Sequence, residues 1–253
     1  NLMDLIMNTK LLILTCFSLA FNGFANNSEI NQAQLSLFKA LPSSVPNPNN
    51  AQSPAKIDLG RMLYYETRLS KNQLISCNSC HQLDKYGVDG LAFSPGHKGQ
   101  LGGRSSPSTY NAALHIAQFW DGREPDVEAQ AKGPILNPVE MAMPSEAAVV
   151  KFLKSIPDYH THFQAAFPES KDPITYDNMA LAIGVFERNL LTPAPIDAFL
   201  KGDKSALNDQ QKAGFKTFLE VGDTCSRYLE GPPRLALYAR KKRAIRRLNP
   251  NIS

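Results

Sequence analysis

Two cysteines two residues apart, followed at once by a histidine, constrain this chain more than any other feature: Cys77-Asn78-Ser79-Cys80-His81. On a helix, thiols at this spacing can each form a thioether to a porphyrin vinyl group, and the adjacent histidine then faces the iron from the proximal side. Three other uses of these residues compete. A zinc site needs a second ligand pair, for which His160-Thr161-His162 is the candidate, and its i, i+2 spacing lacks the usual gap. A thioredoxin-like redox dithiol needs a βαβ setting, of which the chain shows no sign. The third is a chance match. The motif predicts one covalently attached haem c held by Cys77 and Cys80, with His81 as an axial ligand.

Cysteine usage agrees with an exported chain. Lys10 precedes an apolar stretch, Leu11 to Phe21, too short for a comfortable membrane span, and Gly23-Phe24-Ala25 offers a small-x-small cleavage site. Residues 1–25 therefore read as a secretion signal with Met7 as initiator and Asn26 as the first mature residue, leaving no membrane span once the signal is removed. Cys16 goes with the signal, so Cys77, Cys80 and Cys225 remain. An exported disulfide scaffold would carry more cysteines in even number, whereas haem attachment uses two and leaves Cys225 over.

The formal charge of +4 invites a nucleic-acid or anionic-membrane reading until its placement is considered. After Gly231 come Arg234, Arg240, Lys241, Lys242, Arg243, Arg246 and Arg247, with no acids. Without those seven, 20 basic residues face 23 acidic ones, so the body is mildly acidic and no nucleic-acid partner is expected.

Residues 26–54 are rich in Asn, Ser, Pro and Gln and read as an extended arm. From Ala55 the periodicity is helical, with Leu59, Met62 and Leu63 on one face. Further helices are expected from Pro144, with Pro at N1 and Pro157 as the stop, and over Thr175–Leu191, with Met179, Ile183, Phe186 and Leu190 as the stripe. A last helix should open on an Asn208/Gln211 capping box and end at Gly222. Between the second and first of these lies a long Gly/Pro/Ser loop, Tyr86 to Ser108, which contains His97. A loop of that length inside a compact domain is usually functional or disordered, and its place directly after the motif favours function. No run alternates as a strand. The expected class is mainly α, with long loops wrapping a cofactor.

The second axial ligand separates electron transfer, served by a His–Met pair, from chemistry at an open iron position. His97, in Gly96-His97-Lys98-Gly99, is one candidate. Met141 or Met143 is the other, as in a one-haem electron carrier with His81/Met141 ligation. His115, His160 and His162 read as surface or satisfied histidines.

The segment from Leu59 to Ser70 (Leu-Gly-Arg-Met-Leu-Tyr-Tyr-Glu-Thr-Arg-Leu-Ser) and the run Ile75 to His81 resemble the first haem region of bacterial di-haem cytochrome c peroxidases. The likeness continues through Gly96-His97, Arg104 to Ser108, Tyr110 to Ala113, Gln118 to Arg123, Gln130 to Pro134, Val139 to Met141, Ala180 to Pro193 and Gln211 to Phe215, and spans about residues 55–222. The resemblance implies a cytochrome c-like haem domain over 55–192 and the start of a second over 193–222. It implies reduction of hydrogen peroxide to water in the periplasm, with electrons from a small cytochrome c or cupredoxin, by proteins that often form homodimers. By resemblance, His81 is the proximal and His97 the distal ligand of the peroxidatic haem. Glu140 is the acid–base residue, Gln130 lines the pocket, Trp120 lies on the electron route between two haems, and Arg104 meets a haem propionate. Heterolysis of peroxide needs a proton moved from one oxygen to the other, which a carboxylate in a dry pocket can relay. Asp121 and Arg123 read as a local ion pair.

Two departures stand out. Ser105 occupies the place of an Asn that helps bind calcium in the family, so a calcium site is not carried over. The second haem motif should follow Val221-Gly222, yet Asp223-Thr224-Cys225-Ser226-Arg227 offers one cysteine and no histidine. A broken reading frame near Gly222, making 223–253 an aberrant basic tail after a truncated second domain, is the expectation that explains both the orphan Cys225 and the charge shift.

Overall fold

The computed structural model describes residues 30, 35, 36 and 38–228, with side chains up to Leu219. The signal expected over 1–25, the side chain of Cys225 and the tail beyond Tyr228 lie outside the described residues. Those residues divide into two units, one of residues 41–193 and one drawn from 1–40 and 194–253.

In the first unit, α1 (Pro54–Tyr65) starts where Pro54 takes a first-turn position and the Ser53 side chain accepts from the Lys56 amide. Leu59 and Leu63 are fully buried on its inner face, as the spacing predicts. α2 (Cys77–Cys80) is a single turn and carries both thiols. α3 (Val127–Leu136) is capped by Asp126, α4 (Glu146–Lys154) by Ser145, and α6 (Tyr176–Glu187) by Thr175. α5 (Pro157–Ala166) begins on Pro157. The main packing is α1 on α6, with α3 on α6 and α1 on α5 completing the core around Leu63, Ile135, Leu153, Phe163, Met179 and Ile183. Gly60 permits the α1–α6 approach, since a Cβ there would collide with the Ala182 carbonyl. Among the described residues there is no strand, only isolated bridges such as Pro95–Leu101 and Gln118–Glu124. The fold is mainly α, as expected.

Three boundaries in this unit differ from the sequence reading. Pro144 is not the first residue of α4, because the Ser145 hydroxyl accepts from the Ala148 amide and makes Ser145 the cap. Pro157 starts α5 as well as following α4, since a proline that cannot continue one helix suits the first turn of the next. α6 ends at Glu187 and not at Leu191. Beyond it the Asn111 amide donates to the Leu190 carbonyl and the Asn111 side chain accepts from the Thr192 amide, so these groups are taken by the loop.

The arm residues from Leu41 onwards belong to this unit. The Asn50 side chain is buried and donates to Glu128 and to the Leu181 carbonyl, at 2.9 Å each.

The other unit contains α7 (Pro195–Leu200) and α8 (Asp209–Tyr228). Asn208 and Gln211 exchange the two capping hydrogen bonds expected of them, at 2.9 and 2.8 Å. Phe215 packs edge-on against Phe38 and Phe199. α8 runs through Gly222 to Tyr228, because each of its two interior glycines, Gly214 and Gly222, costs a helix only about 1 kcal/mol and no proline follows until Pro232. No helix among the described residues is long and apolar enough to cross a membrane.

Candidate haem site

The one-turn helix α2 is pinned from both ends. The Ser79 hydroxyl accepts from the Ser76 amide, and the Asn78 side chain accepts from the Leu83 amide. This turn presents Cys77 and Cys80 to a cavity of about 490 Å³, of the size that holds small molecules and cofactors. Neither thiol is in a disulfide. Burial pushes Cys77 up to about 12 and raises Cys80 as well, so both are neutral thiols and lack the lowered pKa a redox dithiol needs.

His81 borders the same cavity. Its Nδ1 lies 2.9 Å from the Pro107 carbonyl. A carbonyl only accepts, so Nδ1 carries the proton and the Nε2 lone pair is left for a metal, the arrangement typical of metal-ligating histidines. Burial holds the ring below its usual pKa and therefore neutral. The backbone is fixed too: the Tyr64 hydroxyl, buried in α1, donates to the His81 carbonyl at 2.7 Å and lies 3.2 Å from the Thr109 hydroxyl. Two neutral thiols and one oriented imidazole on a single wall fit a c-type haem. Zinc fits poorly, since among the described residues no three His, Cys, Asp or Glu side chains converge. His160, on α5, is exposed and bonds the Lys154 carbonyl.

α3 and the turn after it supply another wall through Gln130, Ala131, Pro134, Glu140 and Met141. The Asn137 side chain donates to Glu140 Oε1 at 2.7 Å. Burial raises the Glu140 carboxyl, the Asn137 bond and the charge of Arg123 oppose it, and the net pKa lies above the usual carboxylate value. Met141 is buried in the core, and Met143 packs against it.

His97 is placed differently. Its amide donates to the carbonyls of Val139 and Glu140, its ring is buried, and its Nδ1 has no hydrogen-bond partner among the described residues. Gly96 borders the cavity and the His97 side chain does not. Gly96 lies so close to the Val139 carbonyl that a Cβ would collide with it.

Trp120 and Arg104 also border the cavity. Trp120 is 64% exposed and not core, with its indole N–H donating 2.8 Å to the Ser105 carbonyl. The Ser105 hydroxyl donates to the Leu91 carbonyl. Arg104 and Arg123 both bind Asp121, at 2.9 and 3.0 Å, and the Arg123 guanidinium lies over the Phe119 ring. The Arg104 bond, and then that of Arg123, outweigh the small burial effect and hold Asp121 below the usual carboxylate range.

The cavity thus gathers Cys77, Cys80, His81, Arg104, Trp120, Gln130 and Glu140, and leaves out His97. Two further ionisable residues border it: His115, exposed as expected of a surface histidine, and Glu187, which is buried and which the sequence did not single out. For Glu187 the signal was its position four residues after Ile183 on the buried stripe of α6.

A helical unit whose cavity opens onto a C-x-x-C-H turn defines a cytochrome c-like haem domain. Residues 54–205 match the family model described as di-haem cytochrome c peroxidase, and the chain belongs to that family. It is 41% identical over 218 residues to the cytochrome c551 peroxidase of Pseudomonas aeruginosa, covering 85% of this chain and 63% of that protein. It is 42% identical over 192 residues to the cytochrome c551 peroxidase of Nitrosomonas europaea, covering 76% and 55%. Among solved structures, a MauG-like protein associated with microbial copper homeostasis superposes with a TM-score of 0.64 at 28% identity, over 77% of this chain and 55% of that one. The chain therefore spans less than two thirds of the length of the relatives it matches.

Proposed function

We propose that this chain is the peroxide-reducing haem half of a periplasmic di-haem peroxidase, taking electrons from a small cytochrome c or cupredoxin. The observation that supports this most is that Glu140, a half-buried carboxyl aimed by Asn137, borders the same cavity as Cys77, Cys80 and His81. When bound, the haem supplies the iron at which peroxide is reduced. Cys77 and Cys80 are the thiols that would hold it by thioethers, and His81, with Nδ1 taken by the Pro107 carbonyl, would offer Nε2 to the iron.

Reduction of hydrogen peroxide to two waters consumes two electrons and two protons, and the departing oxygen must be protonated as it leaves. The Glu140 carboxylate accepts the proton of one peroxide oxygen and returns it to the other, while the two protons consumed come from solvent. Its raised pKa makes it a better base than an exposed glutamate. Gln130 borders the same space as a neutral hydrogen-bonding group. Trp120, at the rim, suits the electron route that the resemblance assigns to it. Arg104 is held near the rim by Asp121, and a propionate there would share its guanidinium. His97, the distal ligand by resemblance, is tied back through Val139 and Glu140, and peroxide needs the position that His97 would otherwise fill.

The competing reading is a one-haem electron carrier, for which Met141 borders the cavity as the only methionine to do so among the described residues. Met141 is also a core residue, whereas Glu140 has no evident use in a carrier.

The attachment is tested by mass spectrometry of the peptide containing Cys77–His81 from chain expressed with a c-type maturation system. The wild-type peptide should carry one haem, and the Cys77→Ser/Cys80→Ser chain should carry none covalently. A haem-free wild type, or covalent haem persisting in the double variant, would sink the proposal.

A further inference from the structure

α6 delivers Ile183 and then, one turn later, Glu187 to the cavity wall. Glu187 is 5% exposed, and among the described residues no hydrogen bond or ion pair reaches its carboxyl. The adjacent Arg188 does not neutralise it, because Arg188 is committed to Glu128 by two bonds of 2.7 and 2.8 Å. One buried arginine thus serves one of two buried glutamates. The titratable groups that face Glu187 are Glu128 on α3, Cys77 on α2 and Tyr64 on α1, none of them a cation. Burial first, and the Glu128 charge second, push the Glu187 carboxyl up to about 8. Neither haem attachment nor proton relay by Glu140 uses this acid.

We propose that Glu187 is a second working carboxyl of the cavity, binding a proton when the haem beside it gains an electron and releasing it when the haem loses one. The proposal rests on the haem reading of Cys77–His81. The balance is one proton per electron. A reductant reduces ferric to ferrous haem, removing one positive charge, and one proton from solvent converts the Glu187 carboxylate to the acid, so the net charge of the cavity is unchanged. Oxidation reverses both steps. In a buried site of low dielectric the two charges cannot be varied independently, which is why coupling is expected here and not at exposed acids.

The test is a spectroelectrochemical titration of the haem-loaded chain from about pH 6 to pH 10, the range over which a strongly raised carboxyl ionises. The wild-type reduction potential should fall as pH rises within this range. Glu187→Gln, which has the shape of the neutral acid, should be flat across that range and sit at the wild-type low-pH potential. Glu169→Gln, which removes an exposed acid outside the cavity, should keep the wild-type slope. A flat wild type, or a slope that survives in Glu187→Gln, overturns the proposal. Infrared difference spectra of the wild type, which need no variant to fold, should show a protonated-carboxyl band gained on reduction. Absence of that band also overturns it. A wild-type chain without covalent haem overturns the haem reading and this proposal together, while a haem-loaded chain with a pH-independent potential overturns this proposal alone.

Discussion

Replacing Glu140 by Gln is expected to slow peroxide reduction by the haem-loaded chain about 10²- to 10⁴-fold, the usual contribution of a positioned acid–base group. Glutamine keeps the volume of the side chain and can still meet the Asn137 amide group, so the cavity should survive while the proton relay is lost. The pH profile separates chemistry from packing. Burial raises the Glu140 carboxyl first, against the Asn137 bond and Arg123, so its pKa lies above 4.5. The relay starts from the carboxylate, and the wild-type rate should therefore fall as pH drops through that raised value. Glu140→Gln should be slow throughout and show no such acid limb. Full activity in the variant, measured by stopped-flow mixing of peroxide with chemically reduced protein, would show that the proton travels by another path.

The second large effect falls on stability. Arg188→Ala should destabilise the fold by about 3–5 kcal/mol, because it leaves a buried carboxylate without its partner. The Arg188 and Glu128 side chains are only 8% and 7% exposed. Glu128 also accepts from Asn47 and Asn50, so the loss would reach the arm as well as the contact between α3 and α6. Burial pushes the Glu128 carboxyl up, but the bonds from Arg188, Asn50 and Asn47 outweigh it and its net pKa is lowered from 4.5. An acid whose folded pKa is depressed stabilises the fold above its unfolded pKa, and that contribution disappears as pH falls through the folded value. Wild-type stability should therefore decline below about pH 4.5 in part through this pair. The Arg188→Ala chain should show less of that decline. Urea unfolding at neutral and acid pH measures both, and a loss below about 1 kcal/mol, typical of a surface pair, would mean the pair is not buried in solution.

Much of this architecture was legible because it is local. Leu59 and Leu63 are one helical turn apart, Asn208 and Gln211 cap within one turn, and the C-x-x-C-H spacing fits the single turn of α2. α3 escaped because Pro134 lies inside it and its apolar residues do not follow one clean stripe. α5 escaped because Pro157 was read only as the end of what precedes it, although Tyr159, Phe163 and Ala166 mark a buried face. The exposure of Trp120 and the burial of Glu187 depend on which distant segments cover them, and no local spacing encodes that. His97 shows the same limit. The sequence places it in the loop after the motif, but the side its ring takes is set by backbone bonds to Val139 and Glu140, which come from another part of the chain.

A peroxide site and a one-haem electron carrier differ most plainly at the iron. The haem-loaded, chemically reduced chain should be mixed rapidly with hydrogen peroxide, and the oxidised product scanned for the far-red band of a thioether–iron bond. If the cavity is a peroxide site, each peroxide oxidises two haems promptly and no thioether band forms. A haem that stays reduced in peroxide and shows that band once oxidised would make Met141 the ligand and the chain a carrier.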